Sequence, residues 1–500
     1  MNLYDLLASR FPAEGEAPCL ILPDGRRLSY AELVSQSARY GALLAEAGLK
    51  PGDRVAAQVE KSAEALLLYL GCLRAGCVFL PLNPAYTRGE VAYFLDDARP
   101  GLFVCTPERL EEAQELAWAC RLPRVHDLGA RGEGSLAAAA AQMPARFATV
   151  ERADCDLASI VYTSGTTGRS KGTMLTHRNL AANALVLHKY WGFRPGDVLL
   201  HMLPTFHVHG LFVATHCALL NGSPMLFEPK FDAARALRLM QAATVFMGVP
   251  TYYTRLLQER GLTREAVAHM RLFISGSAPL LPETFAEFRE RTGQSILERY
   301  GMTEGGMFTS NPLEGERRGG TVGFPLPGTE VRVVDDSDRP LPAGEIGHIQ
   351  VRGENVFAGY WRMPEKTREE FTPEGYFRTG DLGRFDADGY LAIIGRDKDL
   401  IITGGLNVYP KEIEEAIDAL PGVAESAVIG LPHSDFGEAV TAVVVRGKAS
   451  ATTSGEAIIA ELKGRLAGFK VPKAVLFVDE LPRNAMGKVQ KNLLRQRFSA

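Results

Sequence analysis

The feature that most constrains this chain is a repeated alternation: short apolar runs bounded by turn residues, each followed by a stretch with helical spacing. A short apolar run needs both faces covered, and a following helix supplies one cover, so the repeat implies a parallel sheet flanked by helices. DRVAAQV at 53–59 reads as a strand, a Leu- and Ala-rich helix follows at about 62–75, and CVFLPLN reads as the next strand. Further on, ATVFMGVP and RLFISGS read as buried strands, each leading into a helical stretch. SLAAAAAQ, starting at Ser135, reads as a surface helix or a linker. The expected class is α/β.

At 500 residues one core is too few, so at least two domains are expected. The texture changes near Gly319, where TVGFPLPGTEVRVVD and GEIGHIQVRG alternate apolar positions with turns, the pattern of a small β-rich subdomain over about 319–395. Beyond it, helix, strand, strand and helix patterns form a compact α+β lid. The charged, turn-like Gly395-Arg396-Asp397-Lys398-Asp399 marks the expected border, dividing a domain of 1–397 from a lid of 398–500.

A net charge of -4 with no block of basic residues argues against a nucleic-acid partner. No stretch approaches the roughly eighteen uninterrupted apolar residues of a membrane span, and the N-terminus meets acidic residues too early for a secretory signal. A cytoplasmic protein is expected. The seven cysteines are scattered and form no C-x-x-C pair, so they read as buried small hydrophobes.

The sharpest local signal is Thr163-Ser164-Gly165-Thr166-Thr167-Gly168-Arg169-Ser170-Lys171-Gly172, directly after the apolar run LASIVY. Glycines let backbone N–H groups approach closely, hydroxyls donate, and Lys171 brings charge, a combination suited to a polyphosphate. A Walker A loop is excluded because Arg169 and Ser170 separate Gly168 from the lysine.

This segment resembles the signature phosphate loop of the adenylate-forming superfamily, which includes acyl-CoA synthetases, peptide-synthetase adenylation domains and beetle luciferases. LSYAEL, LRAGCVFLPLN, Tyr300-Gly-Met-Thr-Glu304, Tyr376-Phe-Arg-Thr-Gly-Asp381, Gly395-Arg-Asp-Lys-Asp399 and Pro482-Arg-Asn-Ala-Met-Gly-Lys488 match further motifs of that superfamily in order, over nearly the whole chain. Within it the nearest likeness is to the bacterial malonyl-CoA synthetases, carried by LPTFHVHGLF, GVPTYYTRLLQ, HMRLFISGSAPLL, ERYGMTE, NVFAGYWRMPEKT and ITGGLNVYPKEIE.

The resemblance implies an AMP-forming acid–thiol ligase that uses ATP, Mg²⁺ and coenzyme A. Thr163 to Gly168 and Lys171 would hold the β- and γ-phosphates, Thr303 would contact the α-phosphate, and Glu304 would ligate Mg²⁺. Asp381 and Arg396 would meet the ribose, while Ser277, Ala278, Pro279, Glu298 and Tyr300 would shape the adenine site, with Tyr300 stacked on the base. Lys488 would bridge acid and phosphate during adenylation, and its acetylation would remove the charge that step needs. Asp397 and Lys398 would form the hinge.

For the acid, His207 is expected as a substrate contact, with Val208, Met302 and Ser277 lining the pocket. His201, His207 and His209 lack an accompanying acid or cysteine, so a metal site is not expected there. Malonate carries a second carboxylate that needs a partner, and Arg271 is the expected bidentate clamp. Malonyl-CoA synthetases usually have threonine where Val208 stands, which leaves methylmalonate or another small acid open. Transfer of the acyl-adenylate to a carrier protein is the other alternative.

Overall fold

The computed structural model describes residues 1–163, 170–403, 406–433, 437–447, 454–466, 468–484 and 487–499. The strand–helix alternation produces two sheets rather than one. In the first, the order is Val125–Asp127, Leu102–Cys105, Arg54–Gln58, Val78–Pro81, Leu157–Thr163 and Lys171–Thr176, parallel except for the last pair. In the second, Leu297–Met302, Leu272–Ser275, Val245–Gly248, Leu199–His201, Met225–Phe227 and Pro18–Ile21 run parallel, with antiparallel strands added at both edges.

The helix expected near 62–75 is Ala63–Ala75. Ser62 caps it by accepting from the Ala65 N–H, and Gly76 ends it in the left-handed region at φ 70°. Every residue from Ala65 to Ala75 is buried, the signature of a helix covered on all sides. The Ala-rich run is also a helix, Ser135–Ala141, and its buried Leu136 and Ala140 make it part of the core rather than a linker.

A four-stranded antiparallel sheet follows, in the order Thr329–Val334, Gly347–Gly353, Phe377–Phe385 and Leu391–Arg396. After the short 3₁₀ turn Asp397–Asp399 comes a last unit with its own apolar core, which includes Ile401, Ile413, Val428, Val440 and Leu462. Its helices Pro410–Asp418 and Gly455–Lys463 and strands Val423–His433 and Gly437–Arg446 follow the expected pattern. It also contains a strand, Ala474–Val478, and a closing helix, Lys491–Phe498, that the pattern did not signal. The first is five residues long and largely half-buried, and the second buries Leu494 alone, so neither carries a strong periodicity. Among the described residues no helix is long and apolar enough to cross a membrane.

Candidate active site

The phosphate-loop motif joins two antiparallel strands, Leu157–Thr163 and Lys171–Thr176, with Thr163 opposite Lys171. The strand Lys171–Thr176 follows, so no helix N-terminus stands directly after the motif, unlike in a Walker A site. Ser164, Gly165, Thr166, Thr167 and Gly168 lie outside the described residues. The Thr163 hydroxyl donates to the Lys171 carbonyl at 3.4 Å, and the Lys171 ammonium sits 4.2 Å from the centroid of the Tyr360 ring and 3.8 Å from Glu370 Oε1.

The carboxyl ends of Val245–Gly248, Leu272–Ser275 and Leu297–Met302 converge on one edge, where ligands of parallel sheets bind. Leu297–Met302 turns back sharply into Gly306–Ser310. A Cβ on Gly301 would stand 1.9 Å from the Gly306 carbonyl oxygen, and Gly306 has φ 64°, so the turn requires glycine at both positions. The turn presents Thr303, half-buried, and Glu304, buried. Glu304 Oε1 accepts from the Tyr360 hydroxyl at 3.1 Å. Burial raises the Glu304 pKa, against which Arg396, the Tyr360 hydroxyl and Lys171 act.

Asp381 and Arg396 are cross-strand partners in the four-stranded sheet, and Arg396 Nε lies 2.9 Å from Asp381 Oδ1. The Tyr300 hydroxyl donates to Asp381 Oδ2 at 2.5 Å. The structure thus brings together three residues assigned to the nucleotide on different sequence motifs. Beside them, Glu298 Oε1 accepts from the Leu280 N–H at 3.2 Å, just past Ser277, Ala278 and Pro279. Burial pushes the Glu298 carboxyl up to about 7, and its Oε2 is buried without a hydrogen-bond partner.

The histidines have separate tasks. His201 contacts the buried Lys61 ammonium at 2.7 Å and the Gly210 carbonyl at 3.0 Å. His209 Nδ1 lies 3.2 Å from Ser277 Oγ, and Ser277 holds φ 73°, a strained value for a residue with a Cβ. His207 Nδ1 accepts from the His209 N–H at 3.3 Å, leaving Nε2 as its donor. Burial, and then the nearby Arg299, pull His207 down to about 4, so it is neutral at pH 7. Val208 is buried and Met302, at the strand end, is half-buried; a narrow cavity beyond Val208 continues past Phe212 toward Asn183 and Gly305.

Arg271 does not belong to this site. It precedes the Leu272–Ser275 strand and lies at the opposite edge of the sheet, roughly 20 Å from Ser277 at about 3.3 Å per residue. Its guanidinium is bound bidentately to Asp197, with Nε 2.6 Å from Oδ1, and the Asp197 side chain is 2% exposed. We expect Arg271→Met to lower folding stability by about 3 kcal/mol by leaving that carboxylate unpaired, measurable in urea, with acid preference unchanged.

The cation the sequence reading missed is Arg299, in the same parallel strand as Tyr300. It packs over Gly276 so closely that a Cβ there would lie 2.4 Å from the guanidinium carbon. It is buried, its Nε and Nη2 have no hydrogen-bond partner, and burial lowers its pKa to about 9. His207, His209 and Arg299 influence one another electrostatically at the carboxyl edge of the sheet. A signal existed: both faces of a central parallel strand are buried, so a charge in ILERYGM needs a reason.

Lys488 follows Gly487 (φ 76°), in a turn fixed by Asn484, whose Oδ1 accepts from the Lys488 N–H at 2.9 Å. A Cβ on Gly487 would lie 3.2 Å from Thr251 Oγ1, so the turn rests on the large domain. Lys488 is half-buried, and its ammonium shares an electrostatic neighbourhood with Arg396, Asp381 and Asp399. Lys398, in the 3₁₀ turn, is drawn down to about 8 by burial and then by Arg396. The C-terminal unit also reaches across the turn through Lys411, whose ammonium donates to the Ile393 carbonyl at 2.6 Å.

Residues 8–361 match the AMP-binding enzyme family, and residues 412–488 match the AMP-binding enzyme C-terminal domain. The crystal structure of ATP-bound MatB from Rhodopseudomonas palustris is 55% identical and superposes with a TM-score of 0.97 over 100% of this chain and 99% of that one. The apo form of the same protein gives a TM-score of 0.86 over the same shares. The malonate–CoA ligase of Arabidopsis thaliana is 35% identical, covering 95% of this chain and 85% of its own length. A feruloyl-CoA synthase of an Amycolatopsis species is 36% identical over 95% of this chain and 94% of its own. From the phosphate-loop strand to the lysine of the last turn, the chain is a member of the AMP-binding enzyme family.

Proposed function

We propose that this protein ligates malonate to coenzyme A at the expense of ATP, through malonyl-AMP, releasing pyrophosphate and then AMP. One observation carries the choice of acid: a buried guanidinium, Arg299, with two unpartnered N–H groups beside His207, His209 and Ser277. An unpaired buried cation costs several kcal/mol, and a dicarboxylate would supply the missing charge and acceptors. The similarity to MatB and to a malonate–CoA ligase points the same way. The relative named for ferulate shows that the adenylation machinery alone does not fix the acid.

In this reading one malonate carboxylate pairs with Arg299 and accepts from His207 Nε2. That places the other carboxylate near Thr303 and Lys488, for in-line attack on the α-phosphate of ATP. Little covalent work is required of the protein beyond positioning and charge stabilisation. Asp381 would accept from the ribose hydroxyls, held in place by Arg396 and Tyr300, and the unpartnered Glu298 Oε2 would accept from the adenine amine. Lys171 would shift from Tyr360 and Glu370 to the terminal phosphates.

The residues also fit Mg²⁺. Glu304 is a lone buried carboxylate, and no cluster of three or more His, Cys, Asp or Glu among the described residues could hold an ion by itself. That suits a cation shared with phosphates and waters, whose contribution would be to neutralise phosphate charge. For the second half-reaction the C-terminal unit would turn about Asp397–Lys398, breaking the Lys411–Ile393 contact and carrying Lys488 away so that the CoA thiolate can displace AMP.

CoA-dependent AMP formation measured across acetate, malonate, methylmalonate, succinate, octanoate and benzoate tests the reading. Malonate is expected to be preferred over acetate by at least about a hundredfold. Preference for a monocarboxylate would discard the acid assignment, and AMP formation only with a carrier protein would replace CoA as acceptor. A methylmalonate rate comparable with malonate would mean that the Val208 wall admits a C2 methyl group.

A further inference from the structure

Between the phosphate-loop lysine and the carboxylate of Glu304 stands one side chain that neither the nucleotide nor the acid reading uses: Tyr360. It is buried, its ring lies under the Lys171 ammonium, and its hydroxyl donates to Glu304 Oε1. Its backbone is fixed from two sides. The Trp361 N–H donates to the Gly172 carbonyl at 2.7 Å, the Ala358 N–H donates to the Met174 carbonyl and the Met174 N–H to the Gly359 carbonyl, both at 3.0 Å, and the Phe357 N–H donates to the Glu304 carbonyl at 2.8 Å. Gly359, with φ 124° and Thr367 so close that a Cβ would lie 2.6 Å from its methyl, makes the bend that aims the ring. The Thr367 hydroxyl accepts from the Tyr360 N–H at 2.9 Å.

From this geometry we propose that Tyr360 is a positioning residue that couples the two halves of the phosphate site, orienting the Glu304 carboxylate through its hydroxyl and holding Lys171 on its ring face. The proposal rests on the reading of Glu304 as the magnesium ligand. A carboxylate buried this deeply with one oxygen hydrogen-bonded has a defined orientation, and its other oxygen is left to a cation. Partners of metal-binding carboxylates acting in this way typically change metal affinity tenfold or more when removed. The ring does a separate job. A lysine held by a cation–π contact and a 3.8 Å ion pair keeps its charge near the loop without a strong bond to break when phosphates arrive.

The test is the affinity for α,β-methylene-ATP measured by calorimetry in EDTA and again in excess Mg²⁺, for wild type, Tyr360→Phe, Tyr360→Leu, Glu304→Gln and the Tyr360→Phe/Glu304→Gln double variant. Tyr360→Phe is expected to leave metal-free affinity unchanged and to lose about tenfold of the magnesium-dependent gain. The double variant should bind no more weakly than Glu304→Gln alone, because the hydroxyl acts through that carboxylate. Tyr360→Leu should lose metal-free affinity as well. A full magnesium gain in Tyr360→Phe, with the gain lost in Glu304→Gln, overturns the proposal and leaves Glu304 as ligand. Equal losses with and without magnesium in Tyr360→Phe mark a merely structural role and also overturn it. A full gain in Glu304→Gln overturns the metal reading and the proposal with it.

Discussion

Lys488→Ala is expected to lower malonate-dependent pyrophosphate release about a thousandfold, the upper range for removing one preorganised charge from a developing phosphoryl transition state. Conversion of supplied malonyl-AMP to malonyl-CoA should stay within a few-fold of wild type, because the proposed turn of the C-terminal unit would carry the lysine out of the site before that step. Comparable loss in both half-reactions would contradict the assigned role. The role in adenylation is supported by the place of Lys488, half-buried in the electrostatic neighbourhood of Asp381 and Arg396, with its turn resting on Thr251. Burial, and then Arg396, hold its pKa below the ordinary lysine value. Since the protonated amine is the form required, adenylation should fall with rising pH at a lower pH than an exposed lysine would give. Acetylation of the same amine should reproduce the alanine phenotype and be reversed by a deacetylase.

Arg299→Met is expected to lower kcat/KM for malonate about a thousandfold while raising the relative rate with a monocarboxylate such as butyrate. Leaving a malonate carboxylate unpaired in a buried site costs about 4 kcal/mol, and each 1.4 kcal/mol is a factor of ten. Folding stability should not fall and should rise, because the substitution removes a buried guanidinium whose Nε and Nη2 have no partner. Arg271→Met should show the reverse, with stability lost and selectivity kept, since that guanidinium is committed to Asp197. If Arg299→Met keeps malonate turnover, the acid assignment loses its physical basis.

The contrast between these two arginines shows how far the sequence could be read. Arg299 stands in an apolar strand and Arg271 immediately before one, and composition alone does not tell them apart as clamps. Which end of the strand each occupies, and whether an acid across the sheet has already claimed it, depends on strand order. Asp197 reaches Arg271 because Val245–Gly248 pairs with both Leu199–His201 and Leu272–Ser275. Nothing local to HMRLFISGS signals that partner. Glu304, Asp381, Arg396 and Lys488, the residues proposed for the metal, the ribose and adenylation, were legible because each sits in a short glycine-containing motif whose backbone demands are local, as at Gly301, Gly380 and Gly487. Tyr360 was not, because its partners lie on the strand after the phosphate loop and on the turn holding Glu304, far from it in sequence.

The sequence by itself determined the α/β class, the β-rich subdomain, the α+β pattern of the last unit and the kind of chemistry, because periodicity and glycine placement act over a few residues. Tertiary structure alone decided that the alternation splits into two sheets, that Arg271 is claimed by Asp197 while Arg299 Nε and Nη2 stay unpartnered, and that Tyr360 links Lys171 to Glu304. Those outcomes depend on which strands become neighbours, and a buried charge acquires meaning only from the groups that strand order sets against it.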